Sequence, residues 1–421
     1  MTASSLISQL VNQFQTDALP HVENFLITLA PLFLAIFLAM IFWDVWLQYV
    51  RAKNFIGIKY TVLELRLPKD TFKSPLAMES VLHALHNTSD GKKYVQYWKG
   101  ETRPWYSLEL ISIEGQVKFL IWTEDRRKVG LMGALYSQFP GIEIDEREDY
   151  SRSVHFDPAT MKMYGVEFKF TKPDPYPIKT YVDYGLDKDP KEEFKVDPLV
   201  PLIEYLGSVK VNQQVWFQFL IRAHTDDQKK PGHLFKKTDL WHDESEKLVN
   251  ELLMRDPKTK VAGMKDEATG FTKLPSISKG EQEIAESIER GMTKLAFDVG
   301  IRAIYIAPKE SFDTPFGIGG IVGGMKHFNS ESLNGFKPDE STGFDYPWQD
   351  YKNFRKNRKC RLMLAAYKRR SYFYPPFQGK PMVMNTEELA TIYHFPGSTA
   401  ATPGLERVPS KKAEAPTNLP V

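Results

Sequence analysis

Along most of the chain apolar residues recur at helical or strand spacing, but near the N-terminus they merge into one continuous run. From Phe25 to Trp43 the 19 residues FLITLAPLFLAIFLAMIFW carry no charge, close to the roughly 20 that cross a hydrocarbon layer about 30 Å thick as a helix. A buried core helix is usually shorter and keeps a polar stripe, so the run predicts a transmembrane helix, placed at 25–50, with Pro31 as a possible kink point. Residues 1–24 contain no Lys or Arg, unlike the basic leader of a cleaved signal peptide, so the anchor is expected to stay on the chain. Leu6, Ile7, Leu10, Val11 and Phe14 sit at helical spacing and predict a short extracytoplasmic amphipathic segment over 1–24.

Downstream the periods alternate. Tyr60 to Leu65 is β-rich, and Ser74-Pro75 then opens a helix whose apolar positions are Met78, Val81, Leu82 and Leu85. Trp105 to Ile111 and Gln116 to Trp122 predict two strands joined tightly at Glu114-Gly115. Asp125 caps a helix carrying Val129, Met132, Leu135 and Tyr136, Pro140-Gly141 stops it, and a short strand follows at Ile142 to Ile144. This βαββαβ order is the ferredoxin-like arrangement and defines a first α+β domain over 58–160. A second, over 161–395, is expected from strands at Val166 to Phe170 and Gln214 to Ile221 flanking a helix that starts after Asp197-Pro198. Within it, Ser278 and Glu281 form a capping box for a helix with Ile284, Ile288, Met292, Leu295 and Val299 on one face, ended by Gly300 and followed by a strand over Ile301 to Ala307. Segments 223–240 and 255–275 read as mobile loops, and 396–421, with five prolines, as a disordered Pro-rich tail. The fold class is therefore α+β: one N-terminal transmembrane helix, two ferredoxin-like (split βαβ) domains, and the tail.

Composition narrows this picture little. The net charge of +2 announces no nucleic-acid binder, and the single cysteine, Cys360, excludes a disulfide framework and a multi-cysteine zinc site. Local charge says more. Arg51, Lys53 and Lys59 follow the span whereas Asp17 and Glu23 precede it, so the positive-inside rule puts the N-terminus outside and the body in the cytoplasm of an inner membrane. Trp43, Trp46 and Tyr49 form an interfacial belt that also holds Asp44.

Catalytic motifs fail on spacing. Gly317 to Gly324, GIGGIVGG, suggests a phosphate loop, but Met325 separates Gly324 from Lys326, and Val322 occupies the third glycine position of a dinucleotide fingerprint; a flexible or membrane-grazing loop is the reading kept. His83 and His86 share a helix face without a third ligand nearby, and neither Gly-x-Ser-x-Gly nor His-Glu-x-x-His occurs. No cofactor and no catalytic activity are expected. The densest feature is Lys352 to Arg370, with nine cations and no acid: Lys352, Arg355, Lys356, Arg358, Lys359, Arg361, Lys368, Arg369 and Arg370. If helical from about Pro347, it favours an anion, which can be a nucleic-acid backbone, an anionic leaflet or an acidic protein; a merely solvated face is the alternative. Tyr372, Phe373, Tyr374 and Phe377 offer stacking surfaces or an ordinary packed turn.

Four strings carry a family likeness: Leu65-Arg-Leu-Pro-Lys-Asp-Thr-Phe-Lys-Ser-Pro, Asp174-Pro-Tyr-Pro-Ile-Lys-Thr-Tyr, Phe344-Asp-Tyr-Pro-Trp-Gln-Asp-Tyr and Arg369-Arg-Ser-Tyr-Phe-Tyr-Pro-Pro-Phe. The closing signature runs Asn385-Thr-Glu-Glu-Leu-Ala-Thr-Ile-Tyr-His-Phe-Pro-Gly397, with Asn385, Glu388, Leu389, His394, Pro396 and Gly397 as its marker residues. Physically it is a helix capped by Asn385 and Glu388, with Leu389, Ile392 and Tyr393 inward. From about residue 58 to the tail the chain resembles the membrane-anchored module N-terminal to HerA/FtsK-like ATPases of type IV secretion and conjugative DNA transfer in candidate-phyla bacteria. The resemblance implies a non-enzymatic accessory component, expected as an oligomer, that contacts membrane lipid and docks a separately encoded P-loop motor or other secretion-system subunits. A membrane-tethered protein that binds DNA through 352–370 is the alternative.

Overall fold

The computed structural model describes residues 19–68, 73–89, 91–187, 196–225, 228–229, 237–255, 264–265, 272–273, 277–344, 346–397 and 404–405. The chain divides into two units, residues 1–58 with 90–102, and residues 59–89 with 103–421. Most of the expected 1–24 segment and nearly all of the expected tail lie outside the described residues, as do most of the two expected loops, of which two-residue ribbons pair 228–229 with 237–238 and 264–265 with 272–273.

In the smaller unit, helix α1 spans Leu19–Gly57 with Pro31 inside it. From Thr28 onward its mean hydropathy reaches 2.1 and none of its apolar window is buried. Leu32, Phe33, Phe37 and Phe42 all point to solvent. A helix with no polar face toward water and no core to enter is long and apolar enough to span a membrane.

The larger unit is built on one antiparallel sheet. Strands β1 (Tyr60–Arg66), β2 (Trp105–Ile113), β3 (Gln116–Glu124), β4 (Glu143–Arg147), β5 (Met161–Phe170), β6 (Gln214–Ala223), β7 (Ala296–Pro308) and β8 (Phe336–Ser341) run in the order β8-β5-β7-β6-β2-β3-β1-β4, and β9 (Met382–Asn385) also pairs with β7. The first half supplies β2-β3-β1-β4 and the second repeats that arrangement as β6-β7-β5-β8. The halves meet where β2 pairs with β6 from Trp105↔Arg222 to Ile113↔Gln214. The sheet therefore continues across the two regions that the sequence divides at 160/161.

Helices cover one face: α2 (Leu76–Leu85), α4 (Lys128–Gln138), α6 (Val200–Gly207), α9 (Gly320–Lys326) and α11 (Thr386–Ile392). Strand alternation delivers Leu108, Leu110, Phe119, Ile121, Phe217, Phe219, Ile301 and Tyr305 to that face, where they join Leu82, Leu135, Leu202 and Leu389 in one core. The opposite face carries Glu109, Gln218, Arg302 and Glu167 side by side across β2, β6, β7 and β5. Helix α10 (Phe354–Lys368) packs there on β5, and the single turn α5 (Tyr150–Ser153) follows β4. Between β6 and β7, helices α7 (Leu240–Leu252) and α8 (Lys279–Met292) close a small cluster around Val249, Leu253, Ala285 and Ile288.

Local signals translate well. The Glu114-Gly115 turn takes φ of 55° and 86°, the left-handed pair of a two-residue hairpin. Ser278 and Glu281 close their capping box. Two helix faces need correction. A 3-10 turn over Asp125–Arg127 precedes α4, and its buried pair is Leu131 and Leu135, while Val129 and Tyr136 are exposed; two apolar stripes compete on this helix and the paired leucines win the core. Helix α8 ends at Met292, not Gly300: the β-rich run from Ala296 pairs with three strands, so Val299 and Gly300 lie within β7 and Leu295 is exposed. Pairing also defines β9, and in β8 the interior positions Lys337 to Glu340 are exposed, so alternation does not reveal that strand.

Candidate docking surface

The basic segment is a shorter helix than its composition suggests. Lys352 and Asn353 adopt φ of 53° and 61°, which interrupts helical geometry, so Pro347–Gln349 and Tyr351–Asn353 are separate 3-10 turns and α10 starts at Phe354. The Asp350 carboxylate accepts the backbone N–H groups of Arg355 and Lys356, both at 2.8 Å. An anion there complements the positive end of the helix.

One side of α10 is buried through Cys360, Leu364, Ala366 and Tyr367. The other is exposed: Arg355, Arg358, Lys359, Arg361 and Leu362 follow Lys352, and beside them stand Trp348, Tyr351 and Phe354, 78%, 79% and 74% exposed. Tyr346 stacks on Trp348 with ring centres 4.6 Å apart. Arg355 and Lys359 approach the Phe344 ring at 5.3 and 5.1 Å. Lys356 is half-buried. The result is a surface of large rings and fixed positive charge. A groove of about 470 Å³ beside it, lined by Glu167, Arg302, Lys359, Met363, Tyr372 and Lys380, offers an adjoining cleft.

The last three cations of the segment separate from this surface. Lys368 turns its ammonium to the Val154 carbonyl at 2.5 Å, and burial lowers its pKa. Arg369 lies over Phe377. Arg370 is fully buried and pairs with Glu109 at 2.9 Å and with Asp149. Ser107 Oγ, Tyr150 OH and Gln218 Nε2 also donate to Glu109, and Arg302 bridges Gln218 to Glu167. Burial, then the Glu109 charge, drives the Tyr150 and Tyr367 hydroxyls far above their ordinary range, and the two bond each other at 2.8 Å. These groups satisfy one another and pin the end of α10 to the sheet. Sequence reasoning missed Glu109, although its phase in Trp105-Tyr-Ser-Leu-Glu-Leu, matching Ser107, marks the polar side of β2.

The closing signature is structural too. Asn385 Oδ1 accepts the Glu388 N–H and Glu388 accepts that of Asn385, both at 2.9 Å, which completes the capping box; Leu389, Ile392 and Tyr393 are buried as expected. Glu388 also accepts the Ile178 N–H at 2.9 Å, and burial pushes its carboxyl up to about 8. His394 links the Ala390 carbonyl to Asp197, whose carboxyl it helps hold below the usual range against the effect of burial. Pro396 is buried and Gly397 half-buried.

The glycine run is helical rather than a loop: a π turn over Pro315–Gly319 leads into α9. An added Cβ would stand 2.0 Å from Tyr305 at Gly317, 1.9 Å from Tyr205 at Gly320 and 2.7 Å from Leu202 at Gly324. These glycines let α9 approach its neighbours closely. His83 and His86 take separate partners, the Thr386 hydroxyl and the Ala296 carbonyl. Among the described residues no group of three or more His, Cys, Asp or Glu side chains is placed to hold a metal ion.

A family profile described as "Domain of unknown function (DUF8128)" matches residues 55–407. Comparison with curated proteins gave no match.

Proposed function

The chain belongs to the DUF8128 family, a domain of unknown function, and on that premise we propose that it is a membrane-anchored, non-catalytic docking protein that binds another protein through the basic and aromatic surface of α10. The observation that carries this reading is the exposure of Trp348, Tyr351 and Phe354 beside Arg355, Arg358 and Arg361. Trp, Tyr and Arg are the residues in which interface binding energy concentrates, and a neighbouring groove suits an inserted side chain. The positive charge selects a partner with an acidic face. The buried ionisable groups that could suggest chemistry, Glu109 with Arg370 and His224 with Asp298, are bonded within the fold.

On the resemblance of the strings quoted above, the partner is a P-loop motor ATPase of a type IV secretion or conjugation-like apparatus. The charges after the span support a cytoplasmic body. Each half of the sheet is a ferredoxin-like unit, joined edge to edge through β2 and β6; the repeated strand order supports this. The test is co-purification in detergent of the full chain and of an Arg355→Ala, Arg358→Ala, Arg361→Ala variant. A P-loop ATPase recovered with the first and lost with the second supports the reading; equal recovery with both, or none with either, overturns it.

A second reading, single-stranded nucleic acid held by the same surface, is favoured by the interleaving of rings and cations. Its mark is an affinity for DNA that falls steeply with salt and drops in the triple variant.

A further inference from the structure

Residues 91–102 pack on the C-terminal half of α1. There the seven-residue helix α3 (Lys93–Lys99) meets a stripe of α1 formed by Trp43, Trp46, Val50 and Asn54, spaced three and four apart so that they share one face. The Tyr97 and Trp98 rings stand edge-on to Trp43 and Trp46, each at 5.5 Å. Trp46 Nε1 donates to the Tyr97 carbonyl and Asn54 Nδ2 to the Gly100 carbonyl, both at 3.1 Å. Gly100 is the closest point: with φ at 71°, a Cβ here would lie 2.4 Å from the Val50 carbonyl oxygen. Backbone thus presses on backbone, and only glycine fits.

What this clamp presents outward has one chemistry. Tyr94 and Trp98 are 67% and 56% exposed, Tyr49 is exposed, and on the same two helices and their flanks the exposed Lys53, Lys92, Lys93 and Lys99 outnumber Asp44 and Glu101 among the described residues. Amphipathic rings with flexible ammonium groups suit a bilayer's headgroup layer, where rings settle at the boundary and cations meet lipid phosphates. Length agrees. At 1.5 Å per residue, the 19 uncharged residues ending at Trp43 span roughly 28 Å, one hydrocarbon thickness. The 39 residues of α1 extend well beyond that, so its last turns must stand outside the hydrocarbon, beginning at the level of the rings.

We infer that α3 is an interfacial helix that seats Tyr94 and Trp98 in the headgroup layer of an anionic bilayer and, clamped to α1 at Gly100, sets the depth at which the anchor stops. This rests on the anchor reading above, and one experiment separates the two. The full chain carrying Tyr94→Cys, or Trp98→Cys as a second position, is labelled with a fluorophore, Cys360 being buried. Ile56→Cys, at an exposed position of α1 more than three turns beyond Trp43, is the comparison. Each is reconstituted into vesicles of phosphatidylcholine with and without phosphatidylglycerol, containing a headgroup spin label. The inference expects the protein to float with the vesicles and quenching at 94 and 98 several times that at 56, deeper with the anionic lipid. It expects Gly100→Val to reduce the quenching at 94 while the melting of the body is unchanged. Flotation with equal quenching at 94, 98 and 56 overturns the inference and leaves the anchor standing; quenching insensitive to phosphatidylglycerol overturns its anionic selectivity; failure to float overturns the anchor and the inference together.

Discussion

Arg370 and Glu109 form an ion pair sealed from solvent, guanidinium Nε to carboxylate Oε1 at 2.9 Å with both side chains fully buried. The pair ties the segment after α10 to β2 in the first half of the sheet. Removing one member leaves the other charge buried without compensation, which typically costs about 3–5 kcal/mol. Arg370→Met is expected to destabilise the body by that order. Arg358→Ala, on the exposed side of α10, should stay within about 0.5 kcal/mol of wild type. Chemical denaturation of the two variants checks the contrast.

His224 lies between two carboxylates, Nδ1 to Asp298 at 2.6 Å and Nε2 to Asp239 at 3.3 Å. Burial pulls its pKa down, but the two acids outweigh this and raise it to about 9 from 6.5. A pKa raised on folding gives stability that is complete below about pH 6.5 and is lost as pH climbs through about 9. Glu388, pushed up to about 8, also lowers stability as pH rises, so the useful quantity is the difference between wild type and His224→Gln, in which Glu388 cancels. That difference should be largest near pH 6 and shrink steadily toward pH 9 in unfolding titrations.

Close packing accounts for three glycines of the run, Gly317, Gly320 and Gly324, whereas Gly319 and Gly323 face open space. Gly320→Val places a branched side chain into the Tyr205 ring and should cost about 1–3 kcal/mol. Gly323→Ala, where nothing lies within 4 Å of the new Cβ, should be neutral or stabilising by up to about 1 kcal/mol. Melting curves of both variants decide the matter.

What the sequence revealed was local. The apolar run, the Glu114-Gly115 turn and the capping boxes at Ser278 and Asn385 are each contained within a few consecutive residues, and each is found as expected. The joining of the halves is not local, since Glu109 and Gln218, adjacent across β2 and β6, are 109 residues apart in the chain. Helix α3 is short and has no buried side chain, so it leaves no core-facing stripe to read. The nine cations of 352–370 look equivalent in a string, yet Arg370 is internal and Arg358 external, a distinction made by Glu109 on β2 and Asp149 just after β4.

If the α10 surface is the docking site, its rings carry the binding. Trp348→Ala should weaken association with the partner at least about tenfold while changing body stability by less than about 0.5 kcal/mol. Partner titration and thermal melting, run on one preparation, measure the two effects.

The account rests most heavily on α1 holding the body to a bilayer. Alkaline washing of membranes that contain the full chain tests this directly, because it strips peripheral proteins and leaves spanning helices in place. The expected result is retention in the membrane pellet and release by detergent alone; recovery of the protein in the alkaline supernatant would contradict the account.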